Sequence, residues 1–223
     1  MIPYKDDNPI KIIPFSTILI ISLNMLVFIM QLMSGEDSKS IVYSYGAIPH
    51  NLISFQSNQP IPPVLTIFTS MFMHGGLFHL VMNMLYFWIF GNNIEERLGH
   101  VRFIVFYIFC GFVAVFSHAL LSPESDVPMI GASGAVSGML GAYILLFPMA
   151  RVRTLVFLGF YITVIKIPAL IVIGFWAIIQ VVSALISQGN EAQGGIAFFA
   201  HVGGFVAGLF TIKLWQPRRS SKW

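Results

Sequence analysis

Apolar runs of bilayer-spanning length recur along this chain, near residues 14–34, 76–94, 102–121, 132–149, 168–187 and 196–215. Each approaches the roughly 20 residues that a helix needs to cross the hydrocarbon core. Backbone polar groups in lipid must be satisfied within the segment, which makes such runs helices. Composition points the same way. The chain is 57% hydrophobic and 9% charged, whereas a soluble domain carries about 25% charged residues. It cannot cover a water-facing surface, and it reads as an all-α, polytopic membrane protein with six spans.

A further apolar stretch, LVFLGFYITVIKIP (155–168), is short, contains Lys166 and ends at Pro168. It reads as an interfacial or re-entrant segment and not as a seventh crossing. Charge placement supports that count. Six spans with both termini on one side put Lys5, Lys11, Arg97, Arg102, Arg151, Arg153, Lys166, Lys213, Arg218, Arg219 and Lys222 together, and leave only Lys39 opposite. This is the asymmetry of the positive-inside rule, with those residues cytoplasmic. A seventh crossing would spoil it. The first run lacks a small-residue cleavage site, so no cleaved signal peptide is expected. The single Cys110 excludes an intrachain disulfide. The loop 35–73 then lies outside, where its PIPP run (60–63) argues against one continuous helix. No second domain or repeat is evident, and a nucleic-acid partner is not expected.

Polar side chains inside lipid are costly and mark function by default. In this topology span two enters from outside through MHGGLFHLVMNM, with His74 at the mouth, His79 below it and Asn83 one turn deeper. Span four starts with Ser133, and span six carries His201 about two turns in. At 1.5 Å per residue, His79, Asn83, Ser133 and His201 fall within roughly 10 Å of the outer end. Gly134 and Gly138 form a GxxxG on span four. Gly204 and Gly208 form another on span six, on the face that carries His201. Small residues let helices approach closely in lipid, so facing stripes would bring Ser133 to His201. That pair suits acyl transfer, since a serine hydroxyl needs a base and neutral histidine is the usual one. No carboxylate lies in spans four or six, so a dyad is expected. His79 and Asn83, one turn apart on one face, could line an oxyanion hole with the Ser133 N–H. Gly131 would permit close substrate approach.

The segments HGGLFHLVMN (74–83), GASG (131–134) and AHVGGFVAG (200–208) closely resemble the rhomboid intramembrane serine proteases, and GNNIEERLG (91–99) is similar to that family's segment after span two. The resemblance covers the spans from 76 to 215 in order. It implies a single rhomboid-like domain over 1–223, a six-helix bundle that hydrolyses peptide bonds of single-span membrane proteins near the extracytoplasmic face, with no metal or cofactor. By motif position it implies Ser133 as nucleophile, His201 as base, and His79 and Asn83 as oxyanion supports, with His74 at the cavity mouth. It also implies a bacterial-type cytoplasmic membrane. Two positions depart from the pattern: Ser137 stands where some members carry tyrosine, and no Trp-Arg pair occurs in 35–73.

Each of these groups also admits a structural role. Ser133 could cap its helix, and His201, His79 and Asn83 could be interhelical hydrogen-bonding groups. Glu95, Glu96 and Arg97 read as a structural ion-pair and hydrogen-bonding group at the inner end of span two. His50, His100 and His118 show no partner pattern and read as interface residues. A zinc site on His74, His79 and His201 lacks an HExxH or a carboxylate at that depth, and a transporter would need ionisable groups along a full pathway. The competing function is a catalytically inactive rhomboid-like binder of transmembrane segments. The loop 187–195 reads as a flexible cap, and the short stretch before span one suggests an enzyme without an attached regulator.

Overall fold

The computed structural model describes residues 2–159, 161–187 and 197–217. The loop 187–195, apart from the backbone of Ser187, and the basic residues Arg218, Arg219 and Lys222 lie outside them. After strand β1 (Ile2–Asp6) comes helix α1 (Phe15–Met33). The loop 35–73 folds into three short helices, α2 (Ser38–Tyr45), α3 (Pro49–Ser54) and α4 (Pro63–Ser70), with the PIPP run breaking the chain between the last two. Helix α5 (Leu77–Tyr86) passes through a π-helical turn at Phe87–Gly91 into α6 (Asn92–Leu98). The rod therefore runs four residues past the expected end of span two. Helices α7 (His100–Leu121), α8 (Ser133–Leu146), α9 (Ala169–Ser187) and α10 (Phe198–Trp215) follow, with strands β2 (Arg151–Leu158) and β3 (Tyr161–Pro168) between α8 and α9.

Among the described residues four helices are long and apolar enough to cross a membrane: α1, α7, α9 and α10. Helix α8 is shorter, at 14 residues. It ends at Leu146 and not at 149, because Pro148 restricts the residue before it and cannot continue the helix. Every residue of α8 from Gly134 to Tyr143 is buried. It is the central element, wrapped by the others. Helix α10 packs along it with almost no side chain between. A methyl at Gly204 would strike the carbonyl oxygen of Gly134, and one at Gly208 would strike that of Gly138. The two glycine stripes face each other, as their spacing predicts. Dispersion and close backbone approach hold such a pair where apolar burial supplies no drive.

The expectation of an all-α fold is corrected at 155–168. The stretch belongs to an antiparallel sheet in the order β1-β2-β3, so the fold is mostly helical and not all-α. Arg153 pairs with Lys166 and Thr154 with Ile165 across the hairpin, whose tip includes Gly159 in the left-handed region at φ +62°. The physical reason is a run of β-branched residues, from Val152, Thr154 and Val156 to Ile162, Thr163, Val164 and Ile165, which suits a pleated, half-buried surface. Hydropathy registers those residues only as apolar. The third strand comes from the N-terminus, with Asp6 opposite Val152.

At the end of the bundle where α6, the start of α7 and the end of α8 meet, polar side chains are tied together. Glu95 is fully buried. Its carboxylate accepts the backbone N–H groups of Ser16 and Thr17 (both 2.8 Å) and the Thr17 hydroxyl (2.7 Å). An anion thus caps the N-terminus of α1, where orphan N–H groups and the helix dipole favour negative charge. The His100 Nδ1 lies 2.5 Å from the same carboxylate, which gives His100 a partner the sequence did not suggest. Burial opposes ionisation of Glu95, but the donors from Thr17, His100 and Ser16 outweigh it and hold the carboxyl below its ordinary value. Nearby, Asp6 accepts from the Tyr143 hydroxyl (2.6 Å) and from Asn93 Nδ2 (2.8 Å), anchoring β1 to α8 and α6. Arg97 lies over the Phe147 ring at 5.0 Å.

Candidate active site

Ser133 opens α8, but its hydroxyl makes no cap; the N-cap is Ala132, with no side-chain cap bond. Instead the Ser133 Oγ lies 2.8 Å from the His201 Nε2. Helix α10 presents His201 one turn before Gly204, so the close α8–α10 approach sets this distance. Two residues 68 positions apart meet at hydrogen-bond range. The other imidazole nitrogen is also engaged: His201 Nδ1 lies 2.7 Å from the Gln180 Oε1 on α9. An amide oxygen can only accept, so it places the ring proton on Nδ1 and leaves the Nε2 lone pair facing the serine hydroxyl. Trp176, one turn earlier on α9, covers the ring at 6.1 Å between centroids, and Phe198 stands edge-on at 6.3 Å.

Sequence reasoning missed Gln180. The signal was a lone amide in ALIVIGFWAIIQVVSALIS, a run otherwise apolar but for serines. An amide carries no charge, so it does not stand out among ionisable groups. Ser137, at the position where a tyrosine might have held the ring, donates to the Ser133 carbonyl at 2.6 Å and is buried. The ring is held from α9.

His79 and Asn83 share a cavity of about 790 Å³ with Ser133, His201, Trp176 and His118. The His79 Nδ1 accepts a long hydrogen bond from the Gly75 N–H at 3.4 Å. That leaves the proton on Nε2, which points toward Gly131. Gly131 sits at φ +122°, a region closed to L side chains. A Cβ there would lie 2.9 Å from the His79 Nε2, and the Gly131 N–H is held by the Ser70 carbonyl at 2.9 Å. The glycine therefore lets the chain pass directly beneath His79 before turning into Ser133. The Asn83 amide donates to the carbonyl of His79 at 2.9 Å, turned back on its own helix.

His74 is not at the mouth. It is buried behind His79, with the rings edge-to-face at 5.1 Å, and its backbone N–H donates to Gln31 Oε1 of α1 at 3.0 Å. Among the described residues no three histidine, cysteine or carboxylate side chains converge as a metal-ligand set. His118 lines the cavity and packs against Phe199.

The chain is similar to proteins of one family throughout this region. The Rhomboid domain model matches residues 63–217. Similar relatives include the Rhomboid protease GluP of Bacillus subtilis, 29% identical over 198 residues, which are 88% of this chain and 34% of that protein. Rhomboid protein 1, mitochondrial, of Saccharomyces cerevisiae is 31% identical over 150 residues, 65% of this chain and 40% of that one. Inactive rhomboid protein 1 of Drosophila melanogaster is 32% identical over 80 residues, 36% of this chain and 6% of that one. The chain spans between about a quarter and a third of the length of the first curated relatives it matches. This chain belongs to the rhomboid family, and it is a multi-pass membrane protein.

Proposed function

We propose that the chain is an intramembrane serine endopeptidase that cleaves transmembrane segments of single-span membrane proteins near the extracytoplasmic face. The observation that carries this reading is the 2.8 Å contact between the Ser133 Oγ and the His201 Nε2 inside a cavity. Ser133 gives its proton to His201 as its oxygen attacks the scissile carbonyl carbon. The resulting oxyanion is met by the Ser133 N–H, the His79 Nε2–H and the Asn83 amide. Collapse breaks the C–N bond, and His201 returns the proton to the leaving amine. Water, activated by the same imidazole, then releases the acyl group. Asn83 must give up its bond to the His79 carbonyl to take part, so its contribution is smaller than that of His79.

In this reading the single domain spans 1–223 with six crossings and both termini cytoplasmic, in a bacterial-type cytoplasmic membrane. Helix α8 is about 21 Å long at 1.5 Å per residue, short of a hydrocarbon core of roughly 30 Å. Its first residue therefore lies below the surface, where the cavity admits water. A substrate helix must unwind locally before its carbonyl reaches Ser133, which favours helix-weakening residues at the cut. The inactive binder is less well supported, because Ser133 and His201 are both present and in contact. The deciding experiment is fluorophosphonate labelling of the purified protein, with the adduct mapped by mass spectrometry. Attachment at Ser133 supports the enzyme, and an unlabelled Ser133 in folded protein refutes it.

A further inference from the structure

From the geometry around His201 we infer that Gln180 is a positioning residue for the base, making the site a three-helix relay of Gln180, His201 and Ser133. This rests on the proteolytic reading above. Helix α9 turns a narrow face to the bundle. Ile173 and Ala184 on that face are buried and Trp176 lies between them, while Phe175, Ile178, Ile179, Val181, Val182, Leu185 and Ile186 are exposed to the surroundings. Gln180 is on the buried face, 8% exposed. An amide taken out of water costs several kcal/mol unless bonded, and its carbonyl oxygen finds the His201 Nδ1 at 2.7 Å. Two requirements meet at that contact. A neutral imidazole that is to accept from a serine at Nε2 must carry its proton on Nδ1, and the ring must not rotate about its bond to Cβ. Gln180 Oε1 satisfies both, with Trp176 limiting the ring from the same helix. An amide does this without the cost of burying a carboxylate among apolar helices, and among the described residues no acid bonds to His201.

The test separates the acceptor from mere packing. Gln180→Leu keeps most of the volume and removes the acceptor, while Gln180→Glu restores one. Expected for Gln180→Leu is a fall in kcat of about 10–100-fold with KM within about twofold, and an equal fall in the rate of fluorophosphonate labelling at Ser133. Gln180→Glu should recover most of that loss. Wild-type turnover in Gln180→Leu, or equal losses in both variants at matched thermal stability, overturns the assignment. A second readout needs no turnover. In protein labelled with nitrogen-15 histidine, the His201 signal, identified by its loss in His201→Ala, should report a proton on Nδ1. A proton on Nε2 overturns the role of Gln180 even where neither Gln180 variant folds. Loss of proteolysis with the Nδ1 proton in place counts against the proteolytic reading alone.

Discussion

The two ends of the bundle treat buried polar groups in opposite ways. At the end where α6 meets the start of α1, Glu95 is satisfied by Ser16, Thr17 and His100, and Asp6 by Asn93 and Tyr143. At the other end Ser133, His201, His79 and Asn83 surround a cavity of about 790 Å³. The first arrangement has its hydrogen bonds made and leaves no room. The second lines open volume, with the Ser133–His201 contact on its wall. In the proposed reading, polar residues in lipid are either consumed by the structure or reserved for chemistry, and the surrounding volume distinguishes the two.

The comparison can be broken from either side. The largest effect belongs to the cavity end. Ser133→Ala or His201→Ala should lower cleavage of a single-span substrate by about 10⁴-fold or more, with thermal stability unchanged. Appreciable turnover in either purified variant removes the chemical half of the contrast. Gly208→Val tests the scaffold that joins the two ends. Its side chain meets the Gly138 carbonyl, so it should cost about 3 kcal/mol in denaturant titration and lower activity by separating α8 from α10. Tolerance of valine would show that the helices are not in backbone contact. Glu95→Ala should destabilise by about 2–3 kcal/mol, since Ser16, Thr17 and His100 lose their acceptor. Folded Glu95→Ala should keep its rate of Ser133 labelling, and a large loss of that rate would make the Glu95 end part of the site.

Smaller effects refine the picture. Asn83→Ala should lower kcat by about 10–100-fold, less than His79→Ala, because its amide is already bonded to its own helix. The reverse order would reassign the oxyanion donors. The smallest effect is on pH. Glu95 is held below its ordinary value of 4.5, so its stabilisation is complete above that value and is lost as pH falls through the lower folded-state value. Asp7, beside Arg153 and Lys166, adds a slope of the same sign. Asp6, pushed up by burial, opposes it. The melting temperature should decline below about pH 4.5 and decline less in Glu95→Gln, and equal slopes in the two proteins would contradict the account.

Much of the site was legible because depth and helical phase are properties of one segment at a time. The count of residues from each apolar run's end placed Ser133 and His201 at one level, and the glycine spacing put them on facing stripes. Other features escaped for identifiable reasons. Pro168 and Lys166 marked 155–168 as unusual, but pairing with residues 2–6 lies more than 140 positions away in sequence. His100 follows Glu95 by five residues, and only the sharp turn at Gly99, φ +77°, brings the two side chains together. His74 looked accessible by its order in the motif. Its backbone N–H and carbonyl are both tied to Gln31 of α1, which nothing in the motif announces.

The amino-acid order alone determined that this chain lives in a membrane, where its helices begin and which polar groups share a depth. Tertiary structure decided who stands beside whom: Gln180 against His201, Glu95 against the start of α1, and β1 against β2. The reason is that in a bilayer the protein-facing and lipid-facing sides of a helix are both apolar. Hydropathy carries position along the membrane normal but almost nothing about rotation or lateral neighbours, and those are settled only when the helices pack.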